Sequence, residues 1–182
     1  TDHYAKPAVP FLNVPLIFWS LELFRELRPD RVIANLHYKP ETIQALLPTI
    51  KSAGYDMRFS HEVEKPLGSG GALWFAQKEF EDVDTILVAN ADEVILPVHP
   101  RTLARMKDTH ENSNALATLL TMKHGEAGTK FGGVWVDDSN AIQGFGFDRK
   151  PFPKATQALH YVGVLLLNRR IFKYLPDGES NI

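Results

Sequence analysis

The sequence contains no cysteine among its 182 residues. This absence excludes disulfide bonds, thiolate metal ligands and cysteine nucleophiles as sources of structure or chemistry. It fits a reducing compartment, and the cytoplasm is the expected location. The stability of the protein must then come from packing, and a single domain of this length is large enough to bury roughly 70% of its unfolded surface.

The sequence also lacks runs of like charge and long hydrophobic runs. Its 20 basic and 22 acidic residues give a formal net charge of −2, without the basic stripe that is typical of nucleic-acid-binding proteins. The apolar run Val162–Leu167 has about a third of the length of a membrane span. We therefore expect neither nucleic acid nor a membrane as a partner.

Two further spacings are missing. The stretch Gly68–Gly71 does not have the Gly-x-Gly-x-x-Gly spacing of dinucleotide-binding oxidoreductases, which disfavours that class of enzyme. No histidine spacing is typical of a metal site, which disfavours a zinc enzyme. The following histidines are each expected to be surface or structural residues: His37, His61, His99, His110, His124 and His160.

Strand-like and helix-like segments alternate along the first half of the chain. The predicted helices are residues 15–27, 40–47, 71–80 and 102–109; the predicted strands are residues 31–36, 56–60, 85–89, 115–122, 133–136, 142–147 and 159–167. Such alternation predicts a mostly parallel sheet covered by helices, and the strand-rich second half adds antiparallel strands. We therefore expect one α/β domain over residues 1–182, Rossmann-like with α/β/α layers. The aromatic residues on apolar helix faces are predicted to be core: Trp19, Phe24, Trp74 and Phe75.

A glycine-rich turn and an acidic residue are predicted to meet at one edge of this sheet. Residues 66–72 place three glycines within four positions, and the apolar strand 85–89 is followed closely by Asp92. Glycines allow positive φ and let a flat or anionic ligand touch the main chain. A carboxylate just past a strand lies where open α/β sheets bind ligands. The pattern predicts a nucleotide pocket with a metal-binding acid; the alternatives are an ordinary turn and a helix N-cap.

Five places in the chain carry more specific patterns. They are Ala5-Lys6-Pro7-Ala8-Val9-Pro10 with Asn13-Val14-Pro15-Leu16-Ile17; Ser60-His61-Glu62 with Leu67-Gly68-Ser69-Gly70-Gly71; Asn90-Ala91-Asp92; Phe131-Gly132-Gly133-Val134 with Tyr161-Val162-Gly163-Val164; and Arg149-Lys150-Pro151. In this order they resemble motifs of the sugar-phosphate nucleotidylyltransferases, the enzymes that join a nucleoside triphosphate to a sugar 1-phosphate. The resemblance covers nearly the whole chain. It implies the fold of that family and a product of the GDP-mannose type, with uridylyl or thymidylyl transfer as the next choices.

The resemblance also implies roles on the nucleotide side of the site. Lys6 would supply positive charge near the α- and β-phosphates, and Asp92 would bind Mg²⁺, the expected cofactor. Gly68, Gly70 and Gly71 would let the base lie against the backbone, and Glu62 would approach the base or the ribose. The alternatives left open are a surface lysine at position 6, Glu93 as the metal-binding carboxylate, and an exposed edge-strand acid at position 62.

On the sugar side, Lys150 is the candidate for binding the sugar phosphate, because Pro151 fixes the turn after it. Gly133 and Gly163 would admit the hexose ring, or are bulge and packing glycines. Arg149 stands where the family has a glutamate that contacts the sugar. This reversal of charge leaves the identity of the sugar open.

Two segments typical of the family have no counterpart in this sequence. The family begins with a strand and a Gly-x-Gly-Thr-Arg-Leu loop that cradles the triphosphate, and a later segment supplies a second metal-binding acid. We therefore expect the chain to be an incomplete enzyme. The alternative function is a non-catalytic regulatory or binding subunit with the same fold, and a homo-oligomer is compatible with either.

Overall fold

The computed structural model describes residues 3–149 and 151–182. The chain divides into two compact units, each described here by itself. Unit 1 comprises Thr1–Thr118 and Leu166–Ile182, and unit 2 comprises Leu119–Leu165.

The elements follow one another in the mixed order that the sequence predicts. The α-helices are α1 (Leu16–Phe24), α2 (Pro40–Gln44), α3 (Leu47–Ser52), α4 (Gly68–Phe75) and α5 (Thr102–Asn112). The strands are β1 (Pro10–Phe11), β2 (Val14–Pro15), β3 (Val32–Leu36), β4 (Met57–His61), β5 (Thr85–Ala89), β6 (Ala117–Met122), β7 (Gly133–Val136), β8 (Ile142–Gly146) and β9 (Gln157–Asn168). Short 3₁₀ helices cover Lys6–Ala8, Gln77–Phe80 and Arg169–Lys173.

A hydrophobic core in unit 1 joins α1, α2 and α3 to the β3–β4 pair. Helix α1 buries Ile17 and Leu21, four positions apart on one helical face. Ile43 of α2 and Ile50 of α3 pack into the same cluster, and Ile50 is fully buried. Strands β3 and β4 are parallel, with Val32 opposite Met57 at the start of the register.

The strands of the described residues form three sheets. The short strands β1 and β2 pair with each other, and β3 pairs with β4. The third sheet has five strands, in which β5, β9, β7 and β8 are neighbours in that order and β6 also pairs with β9. Strand β9 is 12 residues long, and its last three residues belong to unit 1.

Unit 2 is built on antiparallel pairing. Strand β7 pairs with β8, from Gly133 opposite Gly146 onward, and a register shift follows Trp135. The indole Nε1 of Trp135 donates to the carbonyl of Gly146 at 3.1 Å, which ties the buried ring to the neighbouring strand. The antiparallel character predicted for the second half of the chain is confirmed.

The predicted boundaries are met closely at β5 and β7 and are wrong at α4. The sequence predicts a helix over residues 71–80, whereas α4 starts at Gly68 and a 3₁₀ turn, Gln77–Phe80, follows it. The prediction that Phe75 is core is also wrong, because its side chain is 50% exposed. Phe75 is two residues from the buried Leu73 and so projects from the opposite side of the helix.

Two helices are found where the sequence predicts one over residues 40–47, and a proline lies at the start of the second. Helix α2 ends at Gln44, and a second helix, α3, begins with Pro48 in its first turn. Proline lacks the N–H that a continuous helix would need there, but it fits the first turn of a new one.

None of the helices in residues 3–149 and 151–182 combines the length and the apolar character of a membrane-spanning helix.

Candidate active site

Lys6 and Asp92 face each other across an ion pair in unit 1. The ammonium Nζ of Lys6 lies 4.0 Å from Oδ2 of Asp92. Lys6 follows Ala5, whose buried backbone N–H donates to Thr42 Oγ1 at 3.1 Å, so the backbone next to the lysine is anchored. The lysine side chain is 72% exposed and that of Asp92 is 34% exposed. Because solvent screens this pair, it adds little stability and stays accessible to a charged ligand.

The two neighbouring carboxylates of the loop after β5, Asp92 and Glu93, have different partners. Oε1 of Glu93 accepts a hydrogen bond from Asn90 Nδ2 at 2.9 Å, so the Glu93 carboxylate has its hydrogen-bond partner within the loop itself. The carbonyl of Asn90 accepts from Ser20 Oγ at 3.2 Å, which fixes the loop to α1. Asp92 is therefore the carboxylate of this loop that meets a positive charge from another part of the chain.

Glu62 directly follows β4 and is only 5% exposed. Its Oε2 accepts the backbone N–H of Leu67 at 3.1 Å, and its carbonyl contacts His37 Nδ1 at 2.8 Å. Oε1 is buried and has no hydrogen-bond partner among the described residues. The exposed edge-strand alternative is thus wrong, and Glu62 is a buried carboxylate with one oxygen satisfied.

The glycine turn, residues 67–71, begins α4. Gly68 has φ +74°, a left-handed backbone conformation that favours glycine. The turn does not lie open: the N–H groups of Gly70 and Gly71 donate to the carbonyl of Ser180 at 2.9 and 3.2 Å. A side-chain methyl at either glycine would collide with the segment that contains Ser180.

The glycines assigned to the sugar pocket lie in unit 2. Gly133 is buried, and a Cβ there would come within 2.8 Å of the Gly128 nitrogen and 2.9 Å of the Ala158 Cβ. Gly163 is buried within β9 and has φ +74°. Close packing and backbone conformation therefore require glycine at these positions, and their role toward a sugar stays a prediction. Lys150 lies outside the described residues.

No three His, Asp or Glu side chains gather as metal ligands in the part of the chain that the structure describes. A hard cation here would have Asp92 as its protein ligand and would need oxygen atoms from the substrate. That donor set suits Mg²⁺, which is commonly bound through one or two carboxylates plus substrate phosphates.

The sequence-based prediction missed Ser180 and Asn181, which contact the glycine turn. The Oδ1 atom of Asn181 accepts the backbone N–H of Ser69 at 3.3 Å. These residues are more than 100 positions away from the turn in sequence, and no local motif marks them as its partners. Only the folded arrangement of unit 1 reveals the contact.

Comparison with solved structures establishes the fold class. A putative glucose-1-phosphate thymidylyltransferase from Bacillus anthracis superposes with a TM-score of 0.77 at 15% identity, covering 96% of this chain and 67% of that one. At this identity the likeness concerns the fold alone. The fold is that of the nucleotide-diphospho-sugar transferases, as the sequence predicts.

Sequence comparison then identifies the family. The profile described as Nucleotidyl transferase matches residues 1–181. A mannose-1-phosphate guanyltransferase of Pichia angusta is 33% identical over 97% of this chain and 47% of its own length. A UTP-glucose-1-phosphate uridylyltransferase of Synechocystis sp. is 25% identical over 99% of this chain and 48% of its own length. The chain belongs to the nucleotidyl transferase family, and it spans about half the length of these curated relatives.

Proposed function

We propose that the protein transfers a nucleotidyl group from a nucleoside triphosphate to a sugar 1-phosphate, with guanylyl transfer to mannose 1-phosphate as the first choice. The contact between Lys6 and Asp92 carries the proposal, because it places one cation and one carboxylate together just past the end of β5. The names of the relatives support the reaction class: they include guanylyl and uridylyl transfer to a sugar 1-phosphate.

In the proposed reaction, an oxygen of the sugar 1-phosphate attacks the α-phosphorus of the triphosphate in line. A new P–O bond forms, the bond from the α-phosphorus to the bridging oxygen breaks, and pyrophosphate leaves. Catalysis of this kind depends on orientation and charge neutralisation rather than on a covalent intermediate. Mg²⁺, when bound, would supply further neutralisation of the phosphate oxygens.

The residues of this chain would divide that work between them. The side chain of Lys6 is 72% exposed, so it would be accessible to the α- and β-phosphates and would exchange its contact with Asp92 for them. Asp92 would then hold the cation. Glu62 would accept a hydrogen bond from the base through Oε1, whose lack of a partner is costly while it is buried. Lys150 stays the proposed contact to the sugar phosphate.

The test is pyrophosphate release by the full-length gene product across four nucleoside triphosphates and several sugar 1-phosphates, with Mg²⁺ and with EDTA. We expect release with one base and one sugar, and loss of release in EDTA. Asp92→Asn and Lys6→Gln are each expected to lower kcat/KM by about 100-fold or more, because each removes a charge that acts on the reacting phosphates.

Matched controls are Asp108→Asn and Lys51→Gln, which alter the charge at exposed helix positions. We expect both to keep at least half of the wild-type activity. A folded wild-type protein that releases no pyrophosphate in any well would overturn the proposal and favour the non-catalytic binding subunit. Equal activity of Asp92→Asn and the wild type would remove Asp92 from the mechanism.

A further inference from the structure

The latch segment, residues 178–182, lies directly on the glycine turn, residues 67–71. Its Ser180 accepts the N–H groups of Gly70 and Gly71 through one carbonyl, at 2.9 and 3.2 Å. The backbone N–H of Ser180 donates in return to the carbonyl of Leu67 at 2.9 Å. The contact is therefore a reciprocal backbone pairing, which fixes the direction of the latch segment relative to the turn.

Side chains extend this pairing at the exposed end of the turn. Oδ1 of Asn181 accepts the N–H of Ser69 at 3.3 Å, and Oγ of Ser69 accepts the N–H of Ile182 at 3.1 Å. The first N–H groups of a helix have no partner within the helix. The latch segment satisfies those of Ser69, Gly70 and Gly71, so it acts as the N-terminal cap of α4.

The glycines of the turn are required by this contact. A Cβ at Gly70 would lie 2.7 Å from Ser180 Oγ, and a Cβ at Gly68 would lie 2.5 Å from the Ser180 carbonyl oxygen. Both distances are shorter than real Cβ contacts. The main chain of the turn is thus packed against the main chain of the latch segment, and the N–H groups of Gly70 and Gly71 are not available to a base while the latch segment is in place.

A second observation links the contact to a ligand. Both backbone groups of Leu67 are hydrogen-bonded. Its N–H donates to Glu62 Oε2, and its carbonyl accepts from the backbone N–H of Ser180. Each of these partners carries a buried oxygen without a hydrogen-bond partner among the described residues, Oε1 of Glu62 and Oγ of Ser180. Only 5% of the surface of Glu62 is exposed. A buried oxygen without a partner is costly, so a polar group of a ligand that reached either oxygen would be bound favourably.

We propose that Ser180 and Asn181 are positioning residues of the nucleotide site, which hold the glycine turn so that Glu62, and not the N–H groups of Gly70 and Gly71, reads the base. This inference rests on the proposed function. The latch segment restrains Leu67, Leu67 restrains the Glu62 carboxylate, and the position of that carboxylate sets the affinity for the nucleotide. Neither positioning residue needs to touch the reacting phosphates.

The test compares Asn181→Ala with Asn181→Asp in the full-length gene product. Asn181 is exposed, so both variants are expected to fold, and aspartate keeps an acceptor oxygen for the Ser69 N–H. Without nucleotide, amide hydrogen exchange of residues 69–71 is expected to be slow in the wild type and about tenfold faster in Asn181→Ala. With substrates, Asn181→Ala is expected to raise the KM for the nucleotide about three- to tenfold, with kcat within twofold.

In Asn181→Asp, both the slow amide exchange of residues 69–71 and the KM for the nucleotide are expected to stay within twofold of the wild-type values. Ser69→Ala, which removes the acceptor for Ile182, should move both values in the same direction as Asn181→Ala by a smaller factor. The control is Asp177→Ala, at an exposed position just before the latch segment. It should change neither value.

The outcomes separate the two proposals. Fast exchange of residues 69–71 in the wild type, or an unchanged KM in Asn181→Ala, overturns the positioning role while leaving the proposed function intact. A fall in the kcat of Asn181→Ala at constant KM also overturns the positioning role, because that pattern indicates only a loss of folded enzyme.

If the wild type binds no nucleotide, both the proposed function and the positioning role fail. Slow amide exchange of residues 69–71 would then show that the latch segment has a purely structural role.

Discussion

His110 shows at the scale of single residues how burial controls charge. It is 2% exposed, Nδ1 lies 2.9 Å from Thr118 Oγ1, and Nε2 has no hydrogen-bond partner among the described residues. Burial lowers the pKa of His110 because the charged imidazolium would lose its hydration; nearby Arg170 lowers it further, and Glu111 opposes the shift. The neutral ring is therefore part of the native packing, as the sequence-based prediction of a structural histidine implies.

The lowered pKa of His110 predicts acid sensitivity with a definite sign. Below the ordinary histidine pKa of about 6.5, the unfolded chain binds a proton that the folded chain does not, so stability falls as the pH decreases from about 6.5 toward the folded pKa. Each unit of lowering contributes about 1.4 kcal/mol. Urea unfolding between pH 5 and 8 should show a smaller loss in His110→Asn than in the wild type.

Asparagine suits this comparison because its amide can bond to Thr118 without titrating. The difference between the two unfolding free energies, plotted against pH, isolates His110 from the other titrating groups. A difference that stays constant over the whole range would show that His110 does not contribute to the pH dependence.

Lys6 and Asp92 illustrate what single residues reveal in a sequence. The position of Asp92 after β5 predicts a ligand-binding acid, whereas the role of Lys6 follows only from the family resemblance, and the structure brings the two side chains to 4.0 Å. The buried state of Glu62 was not predictable, because it depends on the N–H of Leu67 five residues later and on the packing around it. Spacing identifies the type of group, but burial is a property of the fold.

At the scale of elements, none of the five described α-helices begins with a capping hydrogen bond from its N-cap side chain, and distant residues take over that role at α4 and α5. Leu67 and Arg101 occupy the N-cap positions of α4 and α5, and neither side chain makes a capping hydrogen bond. Distant residues replace the caps: Ser180 binds the start of α4, and the Glu26 carboxylate accepts the N–H groups of Leu103 and Ala104 at 3.1 and 3.0 Å. A carboxylate is also favourable at the positive end of a helix.

Distant capping explains why α4 begins three residues before the start that the sequence predicts. Local signals favour a turn through Gly70, because glycines weaken a helix and no Ser, Thr, Asp or Asn stands at the N-cap position. The helix begins at Gly68 since Ser180 compensates for the missing cap. Strand β5, in contrast, was predicted to the residue because a short apolar run between turn residues contains all the information needed.

Gly71→Ala tests the packing at this helix start. Alanine favours a helix over glycine by about 1 kcal/mol, but its Cβ would lie 2.8 Å from the Leu67 Cβ and would overlap the Gly178 carbonyl. Since overpacking of this kind costs about 1–3 kcal/mol, we expect a net loss of stability. Urea unfolding of Gly71→Ala is compared with that of Gly125→Ala, where a Cβ meets nothing within 4 Å. Equal stability of the two variants would contradict the packing argument.

At the scale of the whole molecule, the order of elements was predictable and the division into sheets was not. Alternating hydrophobic runs specify strands and helices, and β3 and β4 pair in parallel as expected. That β3 and β4 form a two-stranded sheet apart from the one that contains β5 follows only from the folded structure. Pairing between strands depends on contacts far apart in sequence, for which the pattern of a single strand carries no information.

The β3–β4 pair predicts limited stability for the 182-residue chain by itself. Within residues 3–149 and 151–182, β3 has β4 as its sheet partner, so its other edge lacks a neighbouring strand. Parallel strands normally lie inside larger sheets, and open edges promote association between chains. We therefore expect this chain to unfold below about 45 °C, the lower end of the usual mesophile range, or to aggregate on heating.

Thermal unfolding followed by circular dichroism and light scattering measures both expected results. If the native gene encodes residues before Thr1, the extended protein is the matched comparison, and a higher melting temperature is expected if an added strand covers an open edge of the β3–β4 pair. Amide exchange supplies the local measurement: Val32–Leu36 should exchange faster than Val164–Leu167, which lie in the five-stranded sheet. The contrary result is a cooperative transition of the 182-residue chain at ordinary mesophile temperatures, with equal protection of residues 32–36 and 164–167. It would show that packing of α1 and α3 stabilises the β3–β4 pair without another strand.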